Sequence, residues 1–81
     1  MRLDKFLKVS RLIKRRTVAN EACDAGRIIV NGKVARASYD VKLNDVIDIN
    51  LGAKPISVKV TDVKEFATKD NASDMYYILS E

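Results

Sequence analysis

Lysine and arginine residues are concentrated in the first part of this 81-residue chain, and phosphate binding is the chemistry that they suit best. Residues 2–36 contain ten of the fifteen basic residues and three acidic ones, a net charge of +7, whereas residues 37–81 carry −3. Clustered cations attract polyanions, and an arginine guanidinium group binds a phosphate through two parallel hydrogen bonds. The charge pattern therefore predicts a nucleic-acid ligand.

The side chains that enzymes use most often are scarce. The chain has no histidine to act as a base near neutral pH, no glycine-rich phosphate loop and no grouping of Ser, His and Asp. Its single cysteine, Cys23, falls among apolar positions, which predicts a small core residue and not a nucleophile. We therefore expect a protein that is not an enzyme and that holds no cofactor and no metal ion.

The positive charge is also compatible with a role that involves no nucleic acid. The basic side of the first helix could be a solvated surface, or that helix could lie on a membrane surface. Asp4 argues against anionic lipid, the apolar side of the helix is needed for the core, and no apolar run is long enough to span a bilayer. We expect a cytoplasmic protein with one domain over residues 1–81 and no membrane partner.

Apolar residues recur at helical spacing near the N-terminus. The apolar side consists of Leu3, Phe6, Leu7, Val9 and Ile13. The opposite side is basic and carries Lys5, Lys8 and Arg11. We predict a helix from Leu3 to Ile13, followed by a connector of Lys14, Arg15 and Arg16, because a longer helix would place Lys14 among the apolar residues.

A second helix is predicted to follow, with Thr17 as its N-cap and Gly26 at its C-terminus. One side of this helix is made of small residues, namely Val18, Ala19, Ala22, Cys23 and Ala25. Small side chains allow two helix axes to approach closely. The first helix should therefore supply the bulk of the core that the two helices share.

A β-hairpin is the strongest local signal in the sequence. Asn31 and Gly32 separate two β-forming runs, 28–30 and 33–35, and an Asn-Gly pair favours a type I′ turn. Further strands are predicted at 41–43, 46–49 and 56–60, and residues 75–79 should pair with the last of these. The predicted fold class is α+β, with two packed N-terminal helices on a small, mostly antiparallel sheet.

Aromatic residues that could stack on bases are few. The chain has no tryptophan, and neither phenylalanine has an obvious stacking position in the sequence. Tyr39, beside the hairpin, is interpreted as a half-buried sheet residue. A basic surface with little stacking capacity favours recognition of RNA through its phosphate backbone and its shape.

The order and spacing of these residues resemble a known RNA-binding domain, which is named after small-subunit ribosomal protein S-four and is also called the α-L motif. The matching elements are Arg2-Leu3-Asp4-Lys5 with Leu7, Arg16-x-x-Ala19, Gly26-x-Ile28-x-Val30-Asn31-Gly32 and Asp45-x-Ile47. The match covers residues 2–49, which leaves residues 50–81 as a C-terminal strand extension. The chain departs from the usual pattern at Arg15, where a capping serine is common, and at Asn44, where glycine is common.

This resemblance implies that the two helices and the hairpin form an L-shaped surface for RNA. By position, Arg2 and Arg16 look like RNA-contacting arginines, and Asp4 looks like a residue that orients a neighbouring basic group. Together with the other basic residues and the hairpin tip, the predicted RNA-binding set is Arg2, Lys5, Lys8, Arg11, Lys14, Arg15, Arg16, Asn31, Lys33 and Arg36.

Stand-alone forms of this domain include the small ribosome-associated heat-shock proteins and, more similar to this chain, the RqcP-like factors of bacterial ribosome-associated quality control. The second resemblance implies binding to ribosomal RNA and peptidyl-tRNA on an obstructed large ribosomal subunit. It also implies that the chain assists an NEMF-family factor in adding a C-terminal alanine tail to the stalled nascent chain. We expect a monomer. A ribosome-assembly factor or RNA chaperone that binds free rRNA is an alternative, as is a protein-interaction module.

Overall fold

The computed structural model describes residues 1–53, 55–68 and 70–80. Lys54, Lys69 and Glu81, which belong to the predicted C-terminal extension, lie outside the described residues. Within the described ranges two helices precede five strands: α1 (Leu3–Val9), α2 (Arg16–Asp24), β1 (Ile28–Val30), β2 (Lys33–Val34), β3 (Val46–Ile49), β4 (Ile56–Val60) and β5 (Tyr76–Ser80). A 3₁₀ helix, Ala72–Met75, leads into β5.

The strands form one sheet in the order β2-β1-β3-β4-β5, and each neighbouring pair is antiparallel. The predicted α+β class is thereby confirmed. In the hairpin Val30 lies opposite Lys33, and the φ angles of Asn31 and Gly32 are 52° and 83°. Two successive positive φ angles define the type I′ turn that the Asn-Gly pair predicts.

Helix α1 ends at Val9, before the predicted end at Ile13. Arg11 has a left-handed backbone conformation, with φ of 63°, which a right-handed helix does not accommodate. The chain then folds back, and the Ile13 amide donates a hydrogen bond to the Leu7 carbonyl oxygen at 3.0 Å. Ile13 is therefore buried against the core although it lies outside the helix.

Helix α2 begins at Arg16, so the predicted N-cap at Thr17 is wrong. Arg15 takes the N-cap position instead, and among the described residues its side chain makes no capping hydrogen bond. This is the position at which the family pattern favours serine, whose hydroxyl group would accept a bond from a helix amide. The start of α2 therefore adds positive charge without a side-chain cap.

The C-terminus of α2 agrees with the sequence prediction. Gly26 has φ of 73°, and its amide and that of Arg27 donate hydrogen bonds to the carbonyl oxygens of Cys23 and Ala22, each at 3.0 Å. This pair of bonds is a Schellman motif, for which glycine at the left-handed position is favoured. The motif turns the chain directly from α2 into β1.

Residues 41–43 do not form the predicted strand. The chain that leaves the hairpin pairs with the N-terminal residues instead: the Leu3 amide donates to the Tyr39 carbonyl oxygen and the Val41 amide to that of Met1, each at 2.8 Å. The Asp4 amide likewise donates to the Ala37 carbonyl oxygen at 3.2 Å. This pairing fixes the start of α1 against the hairpin.

The core lies between the two helices and one face of the sheet. Alternate residues of the three central strands are buried on that face: Ile28, Val30, Ile47, Ile49, Val58 and Val60. Helix α1 adds Leu3, Phe6 and Leu7, whose side chains are fully buried, and α2 adds the small residues. Burial of each large apolar side chain contributes about 1.5–3 kcal/mol to folding. No helix in the described part of the chain is long and apolar enough to cross a membrane.

Candidate nucleic-acid interface

A buried carboxylate connects the two helices on their charged side. The side chain of Asp4, in the first turn of α1, is 4% exposed. One of its oxygens accepts a hydrogen bond from Arg2 Nε at 3.2 Å, and the other accepts one from Asn20 Nδ2 at 3.2 Å and lies 3.3 Å from Arg16 Nε. We call Arg2, Asp4, Arg16 and Asn20 the Asp4 corner.

These four residues lie at or near the N-termini of α1 and α2. Arg2 immediately precedes α1, and Arg16 and Asn20 lie one turn apart on α2, so their side chains share a face. The small residues of α2 let that helix approach α1 closely, which brings its first turns against Asp4. The corner therefore depends on the same packing that builds the core.

The protonation state of Asp4 follows from its hydrogen bonds. Burial by itself would raise the pKa of this carboxyl group, but hydrogen bonds from Asn20, Arg2 and Arg16 outweigh burial and hold the pKa below its ordinary value of 3.8. The Lys5 amide adds a further bond, at 2.8 Å. Asp4 is therefore ionised at neutral pH and pairs with both guanidinium groups.

The two arginines of the Asp4 corner remain accessible while they are held. The side chains of Arg2 and Arg16 are 51% and 47% exposed. A guanidinium group has five N–H donors, and the bonds to Asp4 leave several of these free on each arginine. Because two cations face one carboxylate, the corner keeps a net positive charge and can bind a phosphate in a fixed orientation.

A second buried carboxylate organises the hairpin tip. Asp45 is 7% exposed and accepts hydrogen bonds from Asn31 Nδ2 at 3.0 Å, from the Tyr39 hydroxyl group at 2.8 Å and from the Lys42 amide at 3.0 Å. The Val46 amide donates to Asn31 Oδ1 at 2.9 Å. We call Asn31, Tyr39, Lys42 and Asp45 the Asp45 turn. Asn31, predicted to contact RNA, uses its amide group here to shape the tip, and its RNA contact stays a prediction.

The Asp45 turn also shifts the pKa values of its members. Burial would raise the pKa of Asp45, but the Lys42 amide and the Asn31 and Tyr39 side chains together lower it below 3.8. The hydrogen bond that Tyr39 donates to this carboxylate raises the pKa of the phenol. Tyr39 is half-buried, as predicted, although it lies outside the strands. Both members keep their usual charges at neutral pH.

Six of the other eight predicted RNA-binding residues fall into two groups. Asn31, Lys33 and Arg36 line a cavity of about 560 Å³ along the hairpin. Lys8, Arg11 and Lys14 line a second cavity, of about 420 Å³, beside α1. We call the second cavity the α1 groove.

Two predicted RNA-binding residues lie outside these groups. Lys5 is one-third exposed and forms an ion pair with Glu65, from the connection that follows β4. Arg15 is exposed at the N-cap of α2. RNA contact by Lys5, Arg15 and the rest of the predicted set stays a prediction.

Sequence reasoning missed two residues of this surface. Asn20 completes the hydrogen bonding of Asp4, and its spacing of four from Arg16 is the signal that could have identified it. Phe66, for which the sequence shows no obvious stacking position, is 89% exposed and lines the α1 groove. Lys64 and Glu65 precede it and only Ala67 and Thr68 separate it from Lys69, so the local sequence gave no clear sign of its surroundings.

The remaining chemistry of the chain agrees with a core role for the cysteine. Cys23 is 3% exposed, and burial, together with the charges of Asp4 and Asp24, raises the pKa of its thiol to about 11. A thiol with this pKa is a poor nucleophile at neutral pH. Among the described residues no group of three His, Cys, Asp or Glu side chains is placed to hold a metal ion.

Comparison with known proteins identifies similar sequences over the whole chain. A family model described as the S4 domain matches residues 1–47. The chain is 56% identical over its full length to a Streptococcus pneumoniae protein named RQC P-site tRNA stabilizing factor and spans 92% of it. It is 54% identical to the Bacillus subtilis protein of that name and spans 94% of it. The resemblance stated from the sequence is confirmed.

Two solved structures share the fold. The trimeric structure of heat shock protein 15 from Vibrio cholerae has a TM-score of 0.90 at 24% identity and covers 96% of this chain and 80% of its own. The solution structure of a hypothetical protein, HP1423, has a TM-score of 0.84 at 26% identity and covers 100% of this chain and 99% of its own. Both agree with two helices packed on an antiparallel sheet.

Proposed function

The chain belongs to the S4 domain family, and we propose that it is a non-enzymatic RNA-binding adaptor of ribosome-associated quality control. In this proposal it binds rRNA and peptidyl-tRNA on obstructed large ribosomal subunits in the cytoplasm, as a monomer. It then assists an NEMF-family factor in adding a C-terminal alanine tail to the stalled nascent chain. The name that the full-length relatives carry, with its reference to P-site tRNA, supports the tRNA part of this role.

The Asp4 corner is the observation that carries the RNA-binding proposal. Two arginines from different helices are held by one buried carboxylate, yet about half of each side chain is open to solvent. Surface arginines without such a partner lose more side-chain entropy when they bind, whereas these two are already oriented. The corner also lies within residues 1–47, the segment that the family model matches.

Replacement of one corner arginine tests this role. We expect Arg16→Ala to weaken binding to large subunits carrying peptidyl-tRNA by about tenfold or more, because hydrogen bonds to charged groups contribute about 1.5–3 kcal/mol each. Arg27→Ala is the matched control, since it removes the same side chain at an exposed position outside the corner. RNA binding that Arg16→Ala barely changes, as Arg27→Ala does, would favour a protein-interaction module.

The salt dependence of binding gives a second test. If about six phosphates are neutralised, a plot of log affinity against log salt should have a slope of roughly −4 to −5. Arg16→Ala should make that slope shallower by about one, and Arg27→Ala should leave it unchanged. A slope near zero would contradict an electrostatic RNA interface.

The cellular role is tested by affinity purification of the tagged chain from a translating bacterium. We expect large subunits that carry peptidyl-tRNA to co-purify, and fewer of them with Arg16→Ala. Recovery of free rRNA as efficiently as stalled subunits would support the alternative of a ribosome-assembly factor or RNA chaperone. A loss of alanine-tailed nascent chains in a strain lacking the protein would support the tailing step.

A further inference from the structure

Phe66 stands apart from the other apolar side chains on the surface of this protein. At 89% exposure it is the most exposed large apolar residue in the part of the chain that the structure describes. It lies on the connection between β4 and the 3₁₀ helix and lines the α1 groove, a cavity of about 420 Å³. Cavities of about 300–1,000 Å³ are the usual size of small-ligand sites. The aromatic ring is thus placed at the edge of a recess of suitable size.

Three basic residues line the α1 groove, together with Val9, Glu65 and Ala67. Lys8, Arg11 and Lys14 come from α1 and the chain that follows it. The left-handed conformation of Arg11 reverses the chain at this point, which brings the end of α1 and Lys14 to one cavity. An aromatic ring beside several cations is the combination by which proteins bind unstacked bases and the phosphates that flank them.

The one acidic residue that lines the groove in the described part of the chain is already paired. Glu65 lies beside Phe66, and its carboxylate forms an ion pair with Lys5 of α1. This ion pair offsets a charge that would repel phosphate, and it joins the Phe66 segment to α1. The three cations of the groove therefore leave it with a net positive charge.

We propose that the α1 groove binds one unpaired RNA nucleotide, whose base stacks on Phe66 while Lys8, Arg11 and Lys14 bind its flanking phosphates. This inference rests on the proposed RNA-binding function and adds to it a site for single-stranded RNA outside the Asp4 corner. The nucleotide must be unpaired because the faces of a base inside a duplex are covered by its neighbours. A membrane surface fits less well, since one exposed aromatic ring, with the partly buried Val9 and Ala67 and a carboxylate beside it, offers too little apolar area for insertion.

The absence of tryptophan from the sequence makes the site directly measurable. In Phe66→Trp the new indole ring is the only one in the protein, so its fluorescence reports on the groove alone. We expect the emission to be quenched when an RNA hairpin with an unpaired uridine loop is added, and to change little with the fully paired stem. Leu79→Trp, at an exposed position on β5, is the control and should not respond to either RNA.

Affinity measurements with the same two RNAs complete the test. Phe66→Ala should weaken binding of the looped hairpin by about 5- to 100-fold, as expected for the loss of one base stack, and change binding of the paired stem by less than about twofold. Phe66→Tyr keeps an aromatic ring and should bind the looped hairpin about as tightly as the wild type does. An unchanged loop affinity in Phe66→Ala, or quenching of Phe66→Trp by anionic phospholipid vesicles but not by RNA, would overturn the inference.

These results separate the inference from the function on which it rests. If the wild-type protein binds neither RNA, the proposed RNA-binding function fails together with the groove. If it binds both RNAs equally well and Phe66→Ala changes neither, only the groove is wrong. Because the side chain is almost fully exposed, we expect the Phe66 variants to fold as the wild type does, and circular dichroism checks this.

Discussion

Two buried carboxylates organise two regions of this protein in different ways. As whole residues Asp4 and Asp45 are 3% and 7% exposed, and hydrogen bonds hold the pKa of each below its ordinary value. Asp4 binds two guanidinium groups that reach into solvent, whereas Asp45 binds an amide, a phenol and a backbone N–H. The same side chain thus orients two exposed positive charges in one place and fixes the shape of a turn in the other. The difference arises from the hydrogen-bonding partners that surround each carboxylate in the fold.

Removal of the Asp45 side chain should have the largest effect on stability. We expect Asp45→Ala to lower the free energy of unfolding by about 2–4 kcal/mol, because it leaves Asn31, Tyr39 and the Lys42 amide without their acceptor. RNA affinity, measured where the variant is folded, should fall by less than about threefold, since the groups that donate hydrogen bonds to Asp45 carry no charge. If urea unfolding shows a loss of less than about 1 kcal/mol, Asp45 does not fix the shape of the turn, and the contrast with Asp4 fails.

Neutralisation of Asp4 should affect RNA binding more than it affects stability. We expect Asp4→Asn to lower the free energy of unfolding by about 1–2 kcal/mol, because half-exposed arginines regain water as a partner. RNA affinity should fall by about three- to tenfold although the net charge of the protein rises, since Arg2 and Arg16 lose their orientation. An increase in affinity would mean that charge alone governs binding, which would break the comparison.

The effect of salt on stability at low pH should distinguish the two carboxylates. Both have folded-state pKa values below 3.8, so their stabilisation is complete above that value and is lost as the pH falls through the lowered pKa. The stability of the wild type should therefore decline below about pH 4, and less steeply in Asp4→Asn and Asp45→Asn. Added salt should reduce the contribution of Asp4 more than that of Asp45, because only Asp4 pairs with charged groups. Urea unfolding at several pH values measures both effects.

A single hydrogen bond at the Asp45 turn gives the smallest expected change. Tyr39→Phe removes the hydroxyl group that donates to Asp45 at 2.8 Å and should lower the free energy of unfolding by about 1 kcal/mol. RNA affinity should not change, because this hydroxyl group already has its partner inside the protein. A clear loss of RNA affinity would instead assign Tyr39 to the binding surface.

Local features of the fold were predictable from the sequence. The type I′ turn at Asn31 and Gly32 and the glycine that ends α2 depend on backbone preferences of a few adjacent residues. Asn44, where the family pattern favours glycine, has φ of 73°, a conformation that asparagine tolerates better than most residues. The end of α1 was not predictable, because the helical spacing continues to Ile13 although the chain reverses at Arg11.

Contacts between distant residues decided two features that have no local signal. Residues 41–43 have the composition of a strand, but the N-terminal residues pair with this part of the chain, and only the packing of α1 on the sheet brings them there. The segment around Phe66 has no periodic pattern, so its position beside α1 depends on packing and on the Lys5–Glu65 ion pair. Neither arrangement could be predicted from the neighbouring residues in the sequence.

The sequence by itself determined the polarity of the molecule, the two helices, the hairpin and the family to which the chain belongs. These follow from charge counts, apolar spacing and turn residues, which act over a few positions. Tertiary structure alone decided that Asp4 would hold Arg2 and Arg16 together and that an exposed phenylalanine would stand beside three cations. Such sites form only when the core brings residues from separate elements into contact, because a hydrogen bond or ion pair requires its partners within a few ångströms.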